Sequence, residues 1–280
     1  MSGMEALLMR KLADLHTHTP LCGHAAGEPE AYAAQAVAAG LSVYGAGDHF
    51  PLPPGYPLYD SMRTEQFVPE YLNGWLPRLR AVLEPAGIEV LCGTEFDYLP
   101  GDMGESRPLM DSFDLDYRIS SVHFIDTLAV DHSPDGELWK KYSADWIWKR
   151  YVELTAQMVD EGGFEIIGHI DLAKKFGCRP PDGKAYLLAV HDILKTAASK
   201  GICMEINTAG LRKPVKEIYP APEIVKAAFD AGVKITFGSD SHSPAEPGRD
   251  FDLAVELAQS AGYRSACFFR GKRPVELPFD

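Results

Sequence analysis

The chain has 280 residues, with 27 basic against 40 acidic side chains and a formal charge of −13 at pH 7. Hydrophobic residues make up 46% and charged residues 24%, which excludes a wholly disordered chain. No apolar run approaches the ~20 residues needed to cross a bilayer, and the excess of acid argues against a nucleic-acid binder with a basic surface. The N-terminus lacks a secretory signal, and the five scattered cysteines form no C-x-x-C pair, so the expected compartment is the cytoplasm.

One pattern recurs along the chain: a helix-like stretch ends in Gly and an apolar, strand-like run follows at once. Such a glycine takes the left-handed conformation that closes the last helical turn. Short apolar runs after it are typical of buried parallel strands. The pattern occurs at Gly40, Gly87, Gly163, Gly201, Gly232 and Gly262. The predicted helices are 29–39, 64–84, 137–160, 183–199, 221–231 and 250–261.

The repeated unit predicts a barrel. With the opening run KLADLH and the run YRISSVH at 117–123, the chain has seven predicted strands before residue 241, and 263–269 would be a short extra one. Strands alternating with helices predict an α/β fold, here a β/α (TIM-like) barrel in one domain over 1–280. The alternative is an open, doubly wound sheet. Its dinucleotide-binding version is disfavoured because no G-x-G-x-x-G follows a strand.

Long strand-to-helix connections are predicted at 50–63, 96–116, 124–136 and 208–220. In a parallel barrel such loops gather at one end, where active sites lie.

Histidines concentrate at the ends of the predicted strands. The chain has nine, and seven lie at or just past a strand end, where parallel strands would bring them into one ring. His16 and His18 lie on one face because the strand period is two. Glu95 ends a further strand at the same level, and Asp240 ends the strand that leads to His242. The nine candidate ligands are His16, His18, His24, His49, Glu95, His123, His169, Asp240 and His242.

A ring of imidazoles that includes two carboxylates is typical of a metal site. Nine donors are too many for one ion with four to six ligands, so two or three ions that share a bridging carboxylate are expected. Mixed nitrogen and oxygen ligands suit Zn, Mn or Fe better than Mg or Ca. The other two histidines, His132 and His191, are expected to be structural or exposed.

Seven segments, in order along 13–270, resemble the PHP (polymerase and histidinol phosphatase) superfamily, and most of all its monofunctional histidinol-phosphate phosphatase branch. They are DLHTHTPLCGHAAGEPEAY, GAGDHFP, GTEFDY, RISSVHF, GHIDLAKKF, MEINTAGLR and TFGSDSH. The resemblance implies a distorted seven-unit β/α barrel, and the nine candidates match the family's nine metal ligands. It implies that Glu95 bridges two ions, one completed by His16, His18 and Asp240 and the other by His123 and His169, while His24, His49 and His242 hold a third.

The resemblance implies hydrolysis of L-histidinol phosphate to L-histidinol and phosphate in histidine biosynthesis. Divalent ions lower the pKa of bound water toward ~7 and clamp the oxygens of a phosphoryl displacement, so no Ser or Cys nucleophile is needed. Their field also lets an acidic chain hold a small phosphorylated substrate. Arg212 is the first candidate to bind the phosphate, since the family carries an Arg there. Lys174 and Arg63 come next.

Four other side chains are assigned to catalysis or to substrate choice. Asp48 and Asp171 would act as general acid for the leaving alkoxide or would orient ligand histidines, and the orienting role is favoured for Asp48. Tyr59 and Asp60, in the loop 50–63, suit a cationic amine beside an imidazole.

Three alternative functions remain open. The first is a related phosphoesterase that acts on another small phosphate or on short oligonucleotides. The second is an amidohydrolase-type C–N hydrolase, which also uses H-x-H and a late Asp. It is disfavoured by Glu95 and by the lack of a bridging Lys at the end of strand four. The third is a catalytically silent metal-binding protein. The sequence leaves the oligomeric state open.

Overall fold

The computed structural model describes residues 11–53, 56, 66–101 and 103–279. The strands within these ranges are β1 Ala13–Asp14, β2 Val43–Ala46, β3 Glu89–Asp97, β4 Tyr117–Ser121, β5 Phe124–Ile125, β6 Leu128–Ala129, β7 Ile166–Ile167, β8 Cys203–Asn207, β9 Ile235–Gly238, β10 Ser265–Arg270 and β11 Arg273–Pro278. Seven of them form one parallel sheet, in the order β1-β2-β3-β4-β7-β8-β9.

The first and last strands of this sheet meet and close it. The Leu15 N–H donates to the Phe237 carbonyl at 3.0 Å, and the His18 N–H donates to the Ser241 carbonyl at 2.9 Å. A sheet whose edges pair with each other is a barrel and has no free edge. The predicted seven-unit barrel is therefore confirmed, and the open doubly wound sheet is excluded.

Helices connect and surround the strands. In the described residues they are α1 Pro29–Ala38, a π-helical segment Phe67–Trp75 that continues into α2 Leu76–Leu83, α3 Met103–Asp111, α4 Glu137–Lys141, α5 Ala144–Glu161, α6 Gly183–Lys200, α7 Pro222–Asp230 and α8 Phe251–Ala261. Neighbouring helices pack side by side, as in α1 with α2 and α5 with α6. None of the helices in these ranges is long and apolar enough to span a membrane.

The glycine stops of the sequence pattern are present. Gly201 follows α6 with φ 71°, and its N–H closes the last turn on the Ala197 and Ala198 carbonyls. This is the left-handed helix end that a glycine adopts without the steric penalty of a Cβ.

One helix prediction and one loop prediction need correction. The predicted helix 137–160 is two helices, because Tyr142 is extended and Ser143 starts α5 by accepting a hydrogen bond from the Trp146 N–H at 3.3 Å. The predicted long loop 96–116 contains α3. The predicted helix 64–84 starts outside the described residues, and its described part is the π-helical segment followed by α2.

The strand predicted at 263–269 is present, but it does not belong to the barrel. This run forms β10, but β10 pairs antiparallel with β11 and lies outside the barrel sheet. The long connection 124–136 also holds a small hairpin, β5 with β6, that the pattern did not indicate.

An apolar plug fills the end of the barrel where the strands begin. The Tyr117 ring lies in the interior, and its hydroxyl donates to the Leu15 carbonyl at 2.6 Å. Gly93 leaves room for that ring, since a Cβ there would overlap it. Phe268 and Phe269 of β10 pack into the same buried cluster. This end is therefore closed, and the open end is the one where the strands finish.

Gly93→Ala is expected to lower the free energy of unfolding by roughly 1–3 kcal/mol, because the new methyl group must displace the enclosed Tyr117 ring. Gly183→Ala is the matched control. It lies at the exposed start of α6, where an added Cβ meets no heavy atom within 4 Å, and should leave stability unchanged or slightly higher. Urea unfolding measures both, and equal losses would contradict the assigned role of Tyr117.

Candidate metal centre

The seven predicted histidine ligands lie together at the open end of the barrel. Their imidazole rings form a closed loop in which successive centroids are 4.2–5.8 Å apart. The rings meet because all the parallel strands end at the same side of the barrel, so that their last residues and the first residues after them lie close together. The order around the loop is His16, His18, His242, His24, His49, His123 and His169.

Glu95 lies at the centre of this ring. The side chain is 1% exposed, and the Ser121 hydroxyl donates to its Oε1 at 2.6 Å. Burial alone would raise the pKa of Glu95, but the surrounding histidines hold it well below its usual range. Its two oxygens lie 3.1–3.7 Å from ring nitrogens of His16, His18, His49, His123 and His169.

Asp240 is the second central carboxylate. Its Oδ1 lies 3.0 Å from His18 Nε2. The residue has φ 50°, a left-handed conformation that Asp tolerates better than most residues. This turn brings His242 back to the site, where its Nδ1 lies 3.0 Å from the Asp240 carbonyl.

Three further carboxylates lie behind the rings and orient them. Each accepts a hydrogen bond from an Nδ1, which leaves the Nε2 of the same ring facing the centre. The pairs are Glu205 with His16 at 2.6 Å, Asp48 with His18 at 3.2 Å and Asp97 with His123 at 2.8 Å.

Glu205 is a site residue that the sequence analysis missed. It lies in β8 and is 1% exposed. Its Oε2 accepts from the His169 N–H at 3.0 Å and from the Asn207 amide at 3.1 Å. The available signal was a single charged residue inside the apolar run ICMEIN, since a buried charge needs a partner.

The donor set fits divalent metal ions. Buried nitrogens His16 Nε2 and His18 Nε2 have no well-aligned hydrogen-bond partner among the described atoms. A metal ion supplies the electron-pair acceptor that such a nitrogen lacks. Several sets of donor atoms each lie within 4.8 Å of one another, among them His24, His49 and His242; His16, His18 and Glu95; His16, His169 and Asp240; and His49, Asp97 and His123.

A cavity of about 440 Å³ opens over the ring. Its inner wall includes Glu95, His123 and Asp240, which belong to the candidate metal centre. Its outer wall is formed partly by the β5–β6 hairpin and the residues after it. Other residues that line the cavity include Phe124, Leu128, Asp131, Leu138, Lys175 and Lys213.

The two predicted catalytic aspartates lie outside the cavity lining. Asp48 is fully buried and accepts from the Thr19 hydroxyl and from the His49 N–H, contacts that favour the orienting role. Asp171 accepts from Lys174 at 2.8 Å and from the Ala221 N–H at 2.9 Å, and burial raises its pKa. It therefore supports the start of α7, and it does not contact a ligand ring nitrogen.

The predicted phosphate-binding residues are placed differently. Arg212 pairs with Glu246 at 3.1 Å and donates to the Ser239 carbonyl, so it supports the loop after β9. Lys174 is 1% exposed and pairs with Asp171. Neither lines the cavity. Arg63, Asp60 and Tyr59 lie outside the described residues, and their roles stay predictions.

The histidines left out of the ligand set are separate from the ring. His132 is an exposed residue at the outer edge of the cavity, and His191 is half-buried on α6.

Comparison with known families agrees with this site. The sequence profile of the PHP domain matches residues 14–209, which include seven of the nine candidate ligands. The chain belongs to the PHP domain family. The remaining two, Asp240 and His242, lie beyond the matched segment and reach the site through barrel closure.

Individual relatives cover nearly the whole chain. The probable histidinol-phosphatase of Deinococcus radiodurans is 38% identical over 93% of this chain and 97% of its own. A probable histidinol-phosphatase of Schizosaccharomyces pombe is 27% identical over 90% of this chain and 87% of its own. The crystal structure of histidinol phosphate phosphatase from Lactococcus lactis, complexed with Zn, L-histidinol and phosphate, shares the fold. It has a TM-score of 0.79 and 23% identity, and the match covers 95% of this chain and 99% of that one.

Glu205→Gln is expected to weaken metal binding about 10- to 100-fold while the barrel stays folded. The amide nitrogen would face either the His16 ring N–H or the His169 backbone N–H, where only an acceptor fits. Competition with a chromophoric chelator measures the affinity, and circular dichroism checks the fold. Glu223→Gln, on the exposed first turn of α7, is the control. Equal metal affinities in the two variants would show that Glu205 does not orient a ligand.

Proposed function

We propose that this protein is a metal-dependent phosphomonoesterase that hydrolyses L-histidinol phosphate to L-histidinol and phosphate, a step of histidine biosynthesis. The observation that carries the proposal is the closed ring of seven imidazoles around Glu95 at the mouth of a cavity. The 38% identity to a probable histidinol-phosphatase, over almost the full length of both chains, supports the substrate. The five free cysteines support a reducing compartment, so we place the enzyme in the cytoplasm.

We assign the nine donors to two or three divalent ions, Zn, Mn or Fe, with Glu95 shared between two of them. Zinc is supported by the Lactococcus lactis protein, which is complexed with Zn. When bound, such ions lower the pKa of water and stabilise both the attacking and the leaving oxygen of an in-line displacement. The grouping of His24, His49 and His242 within 4.8 Å supports a position separate from the one at His16, His18 and Glu95.

The chain's own contribution is to fix these donors before the substrate arrives. Asp48, Asp97 and Glu205 hold the rings of His18, His123 and His16 in a single orientation. Preorganised charge of this kind costs no rearrangement during the reaction. Asp48 and Asp171 are both occupied by contacts away from the cavity, so we assign Asp48 to orientation and Asp171 to support of Lys174 and α7.

The cavity has a part that suits each end of the substrate. The phosphate end fits the inner wall, where the candidate ligands converge. The imidazole end fits the apolar faces of Phe124, Leu128 and Leu138. Asp131 on the same wall is a carboxylate partner for the substrate amine. Burial alone would raise the pKa of Asp131, but Lys175 and His123 hold it below its usual value, so it stays charged at neutral pH.

Protein purified without chelator should contain two or three transition-metal ions per chain. Nine donors around one mouth exceed the four to six ligands that one ion takes. Elemental analysis, with total protein from amino-acid analysis, gives the ratio. A content near zero, together with activity that survives chelator treatment, would rule out the metal-dependent mechanism.

The kcat/KM for L-histidinol phosphate should exceed that for p-nitrophenyl phosphate by at least about a hundredfold. One buried charge-assisted contact contributes roughly 2–3 kcal/mol, a factor of about 30–150, and the plain ester lacks the amine and the imidazole. Steady-state kinetics with both substrates on the same metal-loaded preparation measures the ratio. Asp60→Asn and Tyr59→Phe test the earlier loop prediction, and each should impair histidinol phosphate selectively. Equal turnover of the two esters would leave only a generic phosphoesterase.

A further inference from the structure

Two carboxylates beside the candidate metal centre bond to backbone N–H groups instead of ligand rings. Asp14 belongs to the motif DLHTH and is fully buried in β1. Glu246 is half-buried in the loop between β9 and α8. Neither is one of the nine candidate ligands, and neither lines the cavity that the described residues form. Both lie around one turn, residues 239–242, which carries the candidate ligands Asp240 and His242.

Asp14 holds the start of this turn. Its Oδ1 accepts a hydrogen bond from the Ser239 N–H at 2.9 Å and from the His16 N–H at 3.3 Å. Its Oδ2 accepts from the Gly248 N–H at 2.8 Å. A carboxylate oxygen is a stronger acceptor than a carbonyl oxygen. One buried side chain therefore fixes the start of the turn and the far part of its loop relative to His16.

Glu246 holds the other end of the turn. Its Oε2 accepts from the His242 N–H at 2.8 Å. Its Oε1 lies 3.1 Å from Arg212 Nε, and Arg212 also donates to the Ser239 carbonyl. Through this pair the last residue of the turn is connected to the first.

The turn between the two carboxylates has an unfavourable backbone conformation. Asp240 has φ 50°, a region that residues with a Cβ disfavour. Such a conformation persists where the surrounding contacts fix it. The 3.0 Å approach of Asp240 Oδ1 to His18 Nε2 depends on this shape. The carboxylates thus act on the two ligands through the backbone that carries them.

We propose that Asp14 and Glu246 are positioning residues, which hold the turn 239–242 in its left-handed form and place Asp240 and His242 before a metal ion binds. The proposal rests on the proposed function, since it takes Asp240 and His242 to be metal ligands. Without the two carboxylates, part of the binding free energy of the ion would go into ordering the turn.

The test is the affinity of the metal-free protein for Zn²⁺, measured by competition with a chromophoric chelator. Glu246→Ala should weaken zinc binding about 10- to 100-fold, the effect of losing a partner that orients a ligand. Glu256→Ala, at an exposed position of α8, removes the same charge and should bind zinc like the wild type. Equal zinc affinities in these two variants would overturn the role of Glu246.

Asp14→Asn tests the other end of the turn. The amide keeps the shape of the side chain but brings an N–H group against a backbone N–H, so zinc should bind about tenfold more weakly. Asp116→Asn is the control, because Asp116 also accepts from two backbone N–H groups, of Cys92 at 2.9 Å and Gly271 at 3.1 Å, at the closed end of the barrel. It should lower stability and keep the zinc affinity. If Asp14→Asn does not fold, Glu246→Ala decides the proposal.

A second background separates positioning from a general loss of stability. In Asp240→Gly/His242→Ala the turn carries no ligand, and zinc is left to the other donors. Adding Glu246→Ala to this background should change the zinc affinity by less than about twofold, whereas the Tm should fall in both backgrounds. An equal loss of zinc affinity in both backgrounds would mean that Glu246 acts on the whole fold, and the positioning role would be wrong.

The outcomes are distinct from those that test the proposed function. If the wild type binds zinc without hydrolysing histidinol phosphate, and Glu246→Ala weakens zinc binding as expected, the substrate assignment falls and the positioning role stands. If the wild type hydrolyses histidinol phosphate and Glu246→Ala binds zinc as Glu256→Ala does, the positioning role falls and the proposed function stands.

Discussion

The structure is organised around the buried carboxylate of Glu95, whose charge is unfavourable in the protein interior unless it is paired. Glu95 is buried at the centre of the barrel mouth, where an unpaired charge would cost several kcal/mol. Five imidazole nitrogens within 3.7 Å offset that cost. Imidazole is suited to this task because one ring contacts two carboxylates at once. His16 lies between Glu205 and Glu95, and His18 lies between Asp48 and Asp240.

The closed parallel sheet is what makes this charge arrangement possible. Donors that are distant along the chain become neighbours because each lies at or just beyond the end of a strand. The packing around them leaves little freedom. A Cβ at Gly238, at the end of β9, would overlap the Glu205 carboxylate that holds His16. The positions of the donor side chains therefore depend on the close packing of the strand backbones that carry them.

The barrel and the ligand ring could be predicted from the sequence because both depend on regular strands. Apolar runs after glycines mark the strands, and a period of two decides which side His16 and His18 face. The directions of the Lys174 and Arg212 side chains, which pair with Asp171 and Glu246, could not be predicted for the opposite reason. After β7 and β8 the chain enters short 3-10 turns at Leu172–Lys174 and Thr208–Arg212, where no simple period fixes the direction of a side chain.

Other features depended on contacts that no local pattern contains. Glu205 meets His16 across 189 residues of chain, so its role appears only when the barrel closes. The break between α4 and α5 depends on Ser143, whose hydroxyl caps α5 within an otherwise continuous helical pattern. In both cases a polar side chain acts through a partner that the sequence pattern does not identify.

The apolar plug of Tyr117, Phe268 and Phe269 closes the barrel at the end where the strands begin, so that among the described residues the candidate metal centre opens at the other end. In the proposed reaction the two products therefore share a single exit with the incoming substrate.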